Sequence, residues 1–536
     1  MSESPPRVLI IGAGSRGRAY ARAIRRSSNG MVVAVAEPDD YKRTEFGKSL
    51  IWGAEGQPPD GALFRDWKQF IAYEKHRRER TAAGESDVPD GVDAAFVCVL
   101  DEMHREVVVA LTELGGLHIM CEKPLATTLA DCVTLYRTLR SNRNEGGEQM
   151  VFSIGHVLRY SPHNIMLRKL VLEDRVIGDL LSVNHTEPVG WWHFTHSYVR
   201  GNWRRESTTA PSLLTKSCHD IDVLLWLLCS SPSSSATDEA GKGEPPHLPS
   251  TVSSRGSLQY FKKSRKPVAA GAATNCLSCP IEKECKYSAK RIYTGNEHVG
   301  LGTGNKGWPI SIVVPDIESY GTEERAREAL LSELATDYDE SVPDSEVARR
   351  NWFGRCVYES DNDVCDEQVV TITWDEDPLS DQPSAASTDN KPLPDPMRGR
   401  GSKTAIFHMV AQTRQVCERY THLYGVDGEI YADSSTITVH DFRTGQTLTH
   451  IPRLESLGHG GGDAGLTRQF ILAVDKVKNH GWTTDRAQRQ LVACTLEEVI
   501  RSHAMVFCAE EARKAGKVID WESWWETKVQ GKLGDL

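Results

Sequence analysis

Residues 8–17, with the sequence VLIIGAGSRG, decide the fold of this 536-residue chain. A short β-branched run leads directly into the pattern G-x-G-x-x-G, and a helix-like segment follows it. In this pattern Gly12 permits a tight turn, Gly14 lets a pyrophosphate approach the backbone, and Gly17 lets helix and strand pack closely. The N-terminus of the helix then faces the phosphates with free N–H groups. The sequence therefore predicts a dinucleotide-binding loop.

The neighbouring residues bear on which dinucleotide binds. Ser15 and Arg16 complete the loop, and Glu37 ends the second apolar run, 20 residues beyond Gly17. An acid at this position accepts hydrogen bonds from the ribose hydroxyls and repels a 2′-phosphate, so NAD is preferred. Arg16 is able to reach a phosphate, which leaves NADP open. The alternative is an ordinary turn between strand and helix, with Glu37 in solvent.

Outward from this loop, apolar runs alternate with amphipathic segments as far as residue 155. This rhythm predicts a parallel sheet with helices on both faces, so residues 1–156 are expected to form a Rossmann domain. The strongly charged run 73–89 is expected to be a surface loop. The further predicted strands are 32–36, 94–100, 118–121 and 151–154.

Beyond residue 156 the pattern changes to alternating strand segments. These predict an α+β domain over 157–536 with a largely antiparallel open sheet that serves substrate binding and oligomerisation. The stretches 230–250 and 377–402 are rich in Ser, Pro, Gly and charge and are expected to be mobile insertions. The predicted strands are 180–187, 369–374, 405–413 and 430–439, and the predicted helices are 464–477 and 486–515.

Composition limits the classes of partner. The formal net charge is -11, which argues against general affinity for nucleic acid or anionic membranes. The sequence contains neither a signal peptide pattern nor an apolar run long enough to span a bilayer. Its 13 cysteines are then expected to be reduced thiols. We expect a cytoplasmic enzyme that acts on a small molecule.

The stretch 121–125, CEKPL, follows the fifth predicted strand and resembles the signature of the Gfo/Idh/MocA oxidoreductases. The resemblance covers most of the chain apart from the two insertions. It implies a Rossmann domain, a second domain whose open sheet is often used for dimerisation, and NAD(P)-dependent oxidation or reduction of a sugar, polyol or related compound. Further matches are GHVLRYSP at 155–162, IGD at 177–179, the H-x-x-D pattern from His219 to Asp222, and GVDGEIYAD at 425–433.

The resemblance also implies catalytic residues. Lys123 of the EKP motif would take the hydroxyl proton or hold the reacting oxygen, framed by Glu122, and His219 would be the second proton-handling group. A lysine does this when burial or a nearby cation lowers its pKa. The alternative is a surface lysine and a buried structural histidine. The family commonly has an aspartate four residues before this histidine, where Thr215 stands here.

That departure puts the usual proton relay in doubt, and Lys216 or Asp220 would then reshape the site. Arg159 and Tyr160 are placed near the cleft by resemblance. His104, after the fourth strand, is expected to line the nicotinamide side or to cap the next helix.

The stretch 190–204 combines aromatic and polar side chains. Trp192 would stack on a sugar face and His193 would bind hydroxyls. A pair of ordinary strands explains the pattern about as well. Farther along, Asp463 follows a glycine run and is expected to be the N-cap of a helix.

Three cysteines form a compact cluster, Cys276-x2-Cys279-x5-Cys285. A closed tetrahedral zinc site needs a fourth ligand, and Cys356 is the first choice, ahead of Cys365 and His298. The sequence predicts that any metal here is structural. Reduced packing cysteines are the alternative.

Three functions remain compatible with these motifs. The first is a dehydrogenase or reductase acting on CH–OH groups. The second is an NAD-dependent glycosidase that oxidises a ring carbon transiently. The third is a regulator that senses dinucleotide without catalysis, and the presence of Lys123 and His219 argues against it. The fold supports all three, so the site must choose between them.

Overall fold

The computed structural model describes residues 4–141, 150–230, 244–379, 396–454 and 459–533. The larger part of each predicted insertion, 230–250 and 377–402, lies outside these residues.

The N-terminal part contains a six-stranded sheet in which every pairing is parallel. Its strand order is β3-β2-β1-β4-β5-β6, the order of a Rossmann sheet. The strands are mostly apolar because helices cover both faces of the sheet. Their bounds are β1 Arg7–Ile11, β2 Met31–Ala36, β3 Leu63–Phe64, β4 Ala94–Val97, β5 His118–Cys121 and β6 Phe152–Ile154.

Five helices connect these strands. The charged run 73–89 begins inside a helix instead of forming a loop. Its residue Glu74 is buried and receives hydrogen bonds from Arg77 and Arg78, so part of its charge is neutralised within the helix. The helices are α1 Ser15–Ser27, α2 Asp40–Leu50, α3 Trp67–Ala82, α4 His104–Leu114 and α5 Leu129–Ser141.

The second sheet has nine strands in the order β14-β13-β12-β11-β7-β10-β9-β8-β15. Only β10 and β7 pair in parallel, so the predicted fold class is confirmed. The strands are β7 Leu180–Pro188, β8 Thr251–Ser257, β9 Glu367–Trp374, β10 Lys403–Val410, β11 Tyr420–Gly425, β12 Gly428–Ala432, β13 Ile437–Asp441, β14 Thr447–His450 and β15 Ile519–Asp520.

Two predicted elements prove to be divided. The strand 430–439 is a hairpin of β12 and β13, because Asp433 accepts backbone N–H groups and turns the chain. The helix 486–515 is interrupted at Ala493, which has a positive φ of 50°. The helices after α5 are α6 Pro162–Arg168, α7 Trp191–Phe194, α8 Ser212–Leu228, α9 Ala289–Thr294, α10 Ile310–Val313, α11 Glu323–Leu334, α12 Asp344–Arg349, α13 Gly462–His480, α14 Thr484–Ala487, α15 Leu496–Ala515, α16 Trp521–Trp525 and α17 Gly531–Leu533.

The segment between β8 and β9 contains α9 to α12 and short turns, and it has a hydrophobic core of its own. We call residues 258–366 the insertion. Trp192, which lies in α7 and precedes the insertion in sequence, belongs to this second core together with Tyr293 and Phe353. The sequence pattern did not indicate this unit, since three of its four helices have only four to six residues, too few to show a clear apolar period.

The C-terminal helices return to the Rossmann domain. Helix α13 packs against α1, and the ring of Phe470 meets Phe96 of β4 edge to face at 5.4 Å. On the second sheet, large apolar side chains of several strands are exposed, among them Ile406, Tyr431 and Leu448. Within the described residues, no helix is both long and apolar enough to cross a membrane.

Candidate active site

The glycine loop leaves open the space that a dinucleotide needs. Gly12 has φ +99°, and a Cβ there would lie 2.4 Å from the carbonyl oxygen of Cys98. A Cβ on Gly17 would lie 1.9 Å from the carbonyl oxygen of Gly12, so both positions require glycine. A Cβ on Gly14 would meet nothing within 4 Å. Helix α1 starts directly afterwards, at Ser15, with no side-chain cap on its N–H groups. These features fit a bound pyrophosphate.

Glu37 lies at the end of β2, beside this loop. Its carboxylate accepts the N–H of Ala13 at 2.8 Å and the N–H of Asp39 at 3.0 Å. The carboxylate is therefore held at the end of the strand where a ribose would be recognised.

Arg16 points away from the phosphate space and towards the second domain. Its guanidinium contacts Glu122 of the EKP motif at 2.5 Å and Asp463 of α13 at 2.8 Å. Asp463 is thereby occupied, and the N-cap of α13 is Gly461 rather than Asp463. In this arrangement Arg16 joins the two domains, so its predicted contact with a phosphate would require this network to open.

Glu122 is buried and fully engaged. It accepts hydrogen bonds from Arg16, from the hydroxyl of Tyr20 and from the backbone N–H of Lys123. Burial alone would raise the pKa of Glu122, but Arg16 and Lys123 hold it below its usual value. Glu122 therefore acts as an anionic frame for the EKP loop, whose Lys123–Pro124 peptide bond is cis.

Lys123 and His219 approach each other across the domain boundary. The ammonium of Lys123 donates to the carbonyl oxygen of Thr215 at 2.6 Å. Thr215 and His219 are four residues apart on α8 and so lie on the same helix face. The two predicted proton-handling residues are thus brought together by one turn of helix.

His219 is neutral and only 2% exposed. Burial, the largest cause, places its pKa well below 6.5. Its Nε2 lies 2.7 Å from a guanidinium nitrogen of Arg419, which can only donate, and 3.3 Å from the carboxylate of Asp220. The shorter contact makes Nε2 an acceptor, so Nδ1 carries the proton. That Nδ1–H is buried and has no hydrogen-bond partner among the described residues.

Asp220, the next residue, lies 3.3 Å from Nε2 of His219 and leaves Nδ1 without a partner among the described residues. It binds Arg419 by a charge-assisted hydrogen bond and accepts from His185 at 3.2 Å. Arg419 holds the pKa of Asp220 well below its usual value although burial opposes this. Arg419 also lies 2.9 Å from Glu187, at the end of β7. Asp220 thus fixes Arg419 in place.

Lys216 lies one turn of α8 before Asp220 and contacts a second set of polar side chains. Its ammonium lies 2.9 Å from the carboxylate of Glu187 and 3.0 Å from the sulfur of Cys417. These two neighbours raise the pKa of Lys216 although burial opposes them. The same sulfur lies 3.5 Å from Nδ1 of His193. Lys216 and His193 therefore converge on Cys417.

Three predicted substrate or cofactor contacts are placed elsewhere. Arg159 is bound by both oxygens of Asp222, and the hydroxyl of Tyr160 donates to a main-chain carbonyl at 2.6 Å, so both side chains are used inside the fold. His104 is completely buried and lies 2.6 Å from the carbonyl oxygen of Pro124, behind the EKP loop.

The aromatic stretch is a helix and not a strand pair. Trp192 of α7 is only 6% exposed, stacks on His298 of the insertion and packs at a tilt against Trp308. His193 is less buried, and its ring packs edge to face on Trp308 at 5.0 Å. The core interpretation therefore fits Trp192, whereas His193 remains near the polar group of Lys216.

The four cysteines predicted as metal ligands line one small cavity together with Arg200. In the described part of the chain, however, no three of their sulfur atoms all lie within 4.8 Å of one another. Four thiolates on one zinc lie about 3.8 Å apart, as follows from a Zn–S bond of about 2.3 Å. The arrangement is thus too wide for one zinc ion. Neither Cys365 nor His298 lines this cavity.

A different buried group does have ligand atoms close together, namely His156, Cys218 and His503. His503 accepts the N–H of Leu125 at Nε2 and contacts the carbonyl oxygen of Val499 through Nδ1. Because both ring nitrogens of His503 are occupied by the backbone, His503 supports the EKP loop and has no free nitrogen for a metal.

Sequence reasoning missed Arg419, Glu187 and Cys417. Arg419 and Cys417 lie about 200 positions after α8 in sequence, and Glu187 lies about 30 positions before it. No motif spacing links these residues to the helix. Glu187 carried a weak signal, because it is an acidic residue at the end of a predicted strand.

A parallel sheet of this order, with a glycine loop after its first strand, defines a dinucleotide-binding Rossmann protein. Comparison with known proteins narrows the class. Residues 6–145 match the Gfo/Idh/MocA family, described as an oxidoreductase family with an NAD-binding Rossmann fold. The matched residues include CEKPL, so the resemblance of the N-terminal domain to that family is confirmed.

Curated relatives match part of the chain. A 2,7-anhydro-N-acetylneuraminate hydratase of Mediterraneibacter gnavus is 23% identical over 223 residues, 42% of this chain and 49% of the relative. Inositol 2-dehydrogenase 2 of Saccharopolyspora erythraea is 26% identical over 220 residues, 41% of this chain and 52% of the relative. The chain thus spans about half the length of these curated relatives.

The fold of both domains is also found in solved structures. Levoglucosan dehydrogenase, in complex with NADH and levoglucosan, superposes with a TM-score of 0.55 at 14% identity. The superposition covers 96% of this chain and 99% of that one. At this identity the likeness shows the fold.

Proposed function

We propose that this protein is an NAD-dependent oxidoreductase acting on a CH–OH group of a sugar, a polyol or a related hydroxy or keto compound. The observation that carries the proposal is the buried Nδ1–H of His219, which has no partner among the described residues. His219 lies one turn of α8 from Thr215, whose carbonyl oxygen binds the ammonium of Lys123. Two donors that converge in this way suit a single substrate oxygen.

When bound at the glycine loop, the nicotinamide would exchange a hydride with the substrate carbon. Gly14 and the N-terminus of α1 would hold its phosphates, and Glu37 would accept from the ribose and disfavour a 2′-phosphate. This arrangement supports NAD over NADP.

The chain's own residues handle the proton. Lys123 and His219 hold the substrate oxygen, and in the reducing direction one of them gives it a proton. In the oxidising direction Lys123, as the neutral amine, takes the hydroxyl proton as the carbonyl forms, while Nδ1–H of His219 continues to hold the oxygen. Arg419 keeps His219 in one tautomer. It thereby orients His219, as an aspartate at the position of Thr215 would, but it transfers no proton.

A second candidate is supported by the hydratase relatives. In this reaction class a substrate carbon is oxidised transiently and reduced again, so that no net NADH forms. It includes the predicted glycosidase alternative. The same Lys123 and His219 would serve, and only the product distinguishes the two functions.

The experiment is a screen of sugars, polyols and anhydro sugars with NAD and with NADP, followed by Lys123→Ala and His219→Ala on the best substrate. Each substitution should slow the chemical step by about 10²–10⁴-fold, while dinucleotide affinity stays nearly unchanged. Lys68→Ala, which removes an exposed lysine on α3, is the matched control and should behave like the wild type.

Full turnover in both variants would overturn the catalytic assignment and favour a dinucleotide sensor. Product release without net NADH would favour the second candidate. The exposed apolar residues on the second sheet support self-association, and a purely monomeric sedimentation profile would contradict that.

A further inference from the structure

The insertion contains a second group of reactive side chains, away from Lys123 and His219. Two chain segments carry it, and they pair side by side through an isolated antiparallel bridge between Asn275 and Arg355. The backbone N–H of Cys276 donates to Gly354 at 2.9 Å, and that of Cys356 donates to Thr274 at 2.8 Å. This pairing explains how a cysteine 71 positions farther along reaches the compact cluster.

Apart from the thiols, Arg200, Glu282 and Ser288, the residues that line this cavity are mostly apolar. Its walls include Ile281, Val357 and the ring of Tyr358, and all four cysteines face it. None of the 13 cysteines forms a disulfide. Four thiols that converge on one enclosed apolar space are typical of a metal centre, whose thiolates would be costly to bury without a cation.

An independent observation points to negative charge at this place. Arg200 is completely buried, and in the described part of the chain it forms no ion pair with a carboxylate. One guanidinium nitrogen donates to the sulfur of Cys276 at 3.4 Å and to the carbonyl of Tyr287 at 2.8 Å. The other terminal nitrogen, Nη1, is buried without a partner among the described residues.

A buried cation without a counter-charge is strongly unfavourable. Neutral thiols do not compensate Arg200, since a free thiol is largely protonated at pH 7. Four thiolates around a metal centre carry a net negative charge and offer sulfur acceptors to the unused N–H groups. Arg200 is therefore placed as the second partner of an anionic centre.

The spacing decides which centre fits. Among the described residues no three of the four sulfurs all lie within 4.8 Å of one another. The four sulfurs around one zinc ion lie closer together, about 3.8 Å apart. A cluster with several irons and inorganic sulfides holds its four thiolates farther apart than a single ion does. The sequence also contains only one close C-x2-C pair, followed by single cysteines, whereas many structural zinc sites use two close pairs of ligands.

We propose that Cys276, Cys279, Cys285 and Cys356 bind an iron–sulfur cluster of the four-iron type. The cluster has a structural role, because it ties the insertion to the stretch that ends in Arg200. The other end of that stretch is α7, whose Trp191 packs on Tyr287 and whose His193 lies at the candidate active site. The centre thus fixes one wall of the cleft.

The test is elemental analysis of the full-length protein, produced with ample iron and purified without oxygen and without chelators. We expect about four irons and about four acid-labile sulfides per chain, with a broad absorption band that disappears on reduction or chelation. Zinc without labile sulfide would overturn the proposal, and so would a metal-free protein that takes up no iron and sulfide on anaerobic reconstitution.

Two substitutions assign the ligands. Cys279→Ser and Cys285→Ser, at partly exposed positions, should each reduce the iron and sulfide content at least several-fold. Cys365→Ser is the matched control, since Cys365 is buried close by in sequence but does not line the cavity. An unchanged cluster in both ligand variants, or its loss in the control, would overturn the assignment. Dinucleotide binding should persist throughout, so this test is independent of the proposed function.

Discussion

Two buried arginines, Arg159 and Arg200, lie in opposite electrostatic surroundings. Arg159 forms a bidentate pair with Asp222 and a further contact with Glu498 at 2.9 Å. Arg200 is more deeply buried, yet it meets two carbonyl oxygens and one sulfur. The first network is complete within the described protein, whereas the second has a positive charge and one free N–H group left over. The difference indicates which of the two places needs an additional anion.

The largest expected effect belongs to the complete network. Arg159→Met leaves the carboxylate of Asp222 buried without its cation, so the free energy of unfolding should fall by about 3–5 kcal/mol. Urea titration measures this. Lys48→Met, which breaks the exposed Lys48–Glu45 pair, is the control and should cost less than about 1 kcal/mol. Equal losses in both variants would show that Arg159 is not the centre of a buried network.

The second prediction rests on the proposed cluster. In protein that contains the cluster, Arg200→Met should lower the free energy of unfolding by about 1–3 kcal/mol, because charge-assisted hydrogen bonds to sulfur are lost. In protein freed of the cluster by chelation the loss should be clearly smaller, since the substitution also removes an uncompensated charge. Denaturant midpoints of both forms measure the difference. The same loss in both forms would separate Arg200 from the cysteines.

The third prediction concerns the dependence of stability on pH near Arg200. Burial, together with Arg200, lowers the pKa of His196 from 6.5 to about 3. Below pH 6.5 the unfolded chain therefore binds a proton that the folded chain refuses until about pH 3. Stability is thus lost as the pH falls, by up to about 1.4 kcal/mol per unit from this residue.

His196→Phe should flatten the dependence of the free energy of unfolding on pH by about one proton between pH 6 and 4. The ring of His196 already stacks on Phe353, so an aromatic replacement suits the site. His76→Phe, at a side chain that is 71% exposed, should leave the slope unchanged. An unaltered slope in the His196 variant would mean that protonation of this histidine does not contribute to the loss of stability at low pH.

The sequence predicted the parts of the molecule whose signals are local. The run from β1 through Gly17 to Glu37 contains a strand, a turn, a helix and an acidic residue within about 30 residues. Each of them can be recognised from neighbouring residues in the sequence. The EKP motif is equally compact. Arg419 could not be predicted, because it acts on His219 from 200 positions away and no spacing rule connects the two.

The insertion was missed for a different reason. Its helices α9, α10 and α12 have only four to six residues, too few to show an apolar period. The run 73–89 misled in the opposite direction: its charges suggested solvent, but Glu74 is neutralised by arginines three and four positions later on the same helix. Charge density describes exposure poorly when the charges pair within one element.

The contact between α1 and α13 has a consequence for how the chain is made. Residues 1–155 leave the ribosome about 300 residues before Asp463 and Phe470, which amounts to roughly 15–60 s at common rates of synthesis. During that time the face of the Rossmann domain that α13 later covers has no partner, and Arg16 holds Glu122 alone. Until the C-terminal helices arrive, the nascent N-terminal domain therefore exposes the apolar surface that α13 covers in the folded protein.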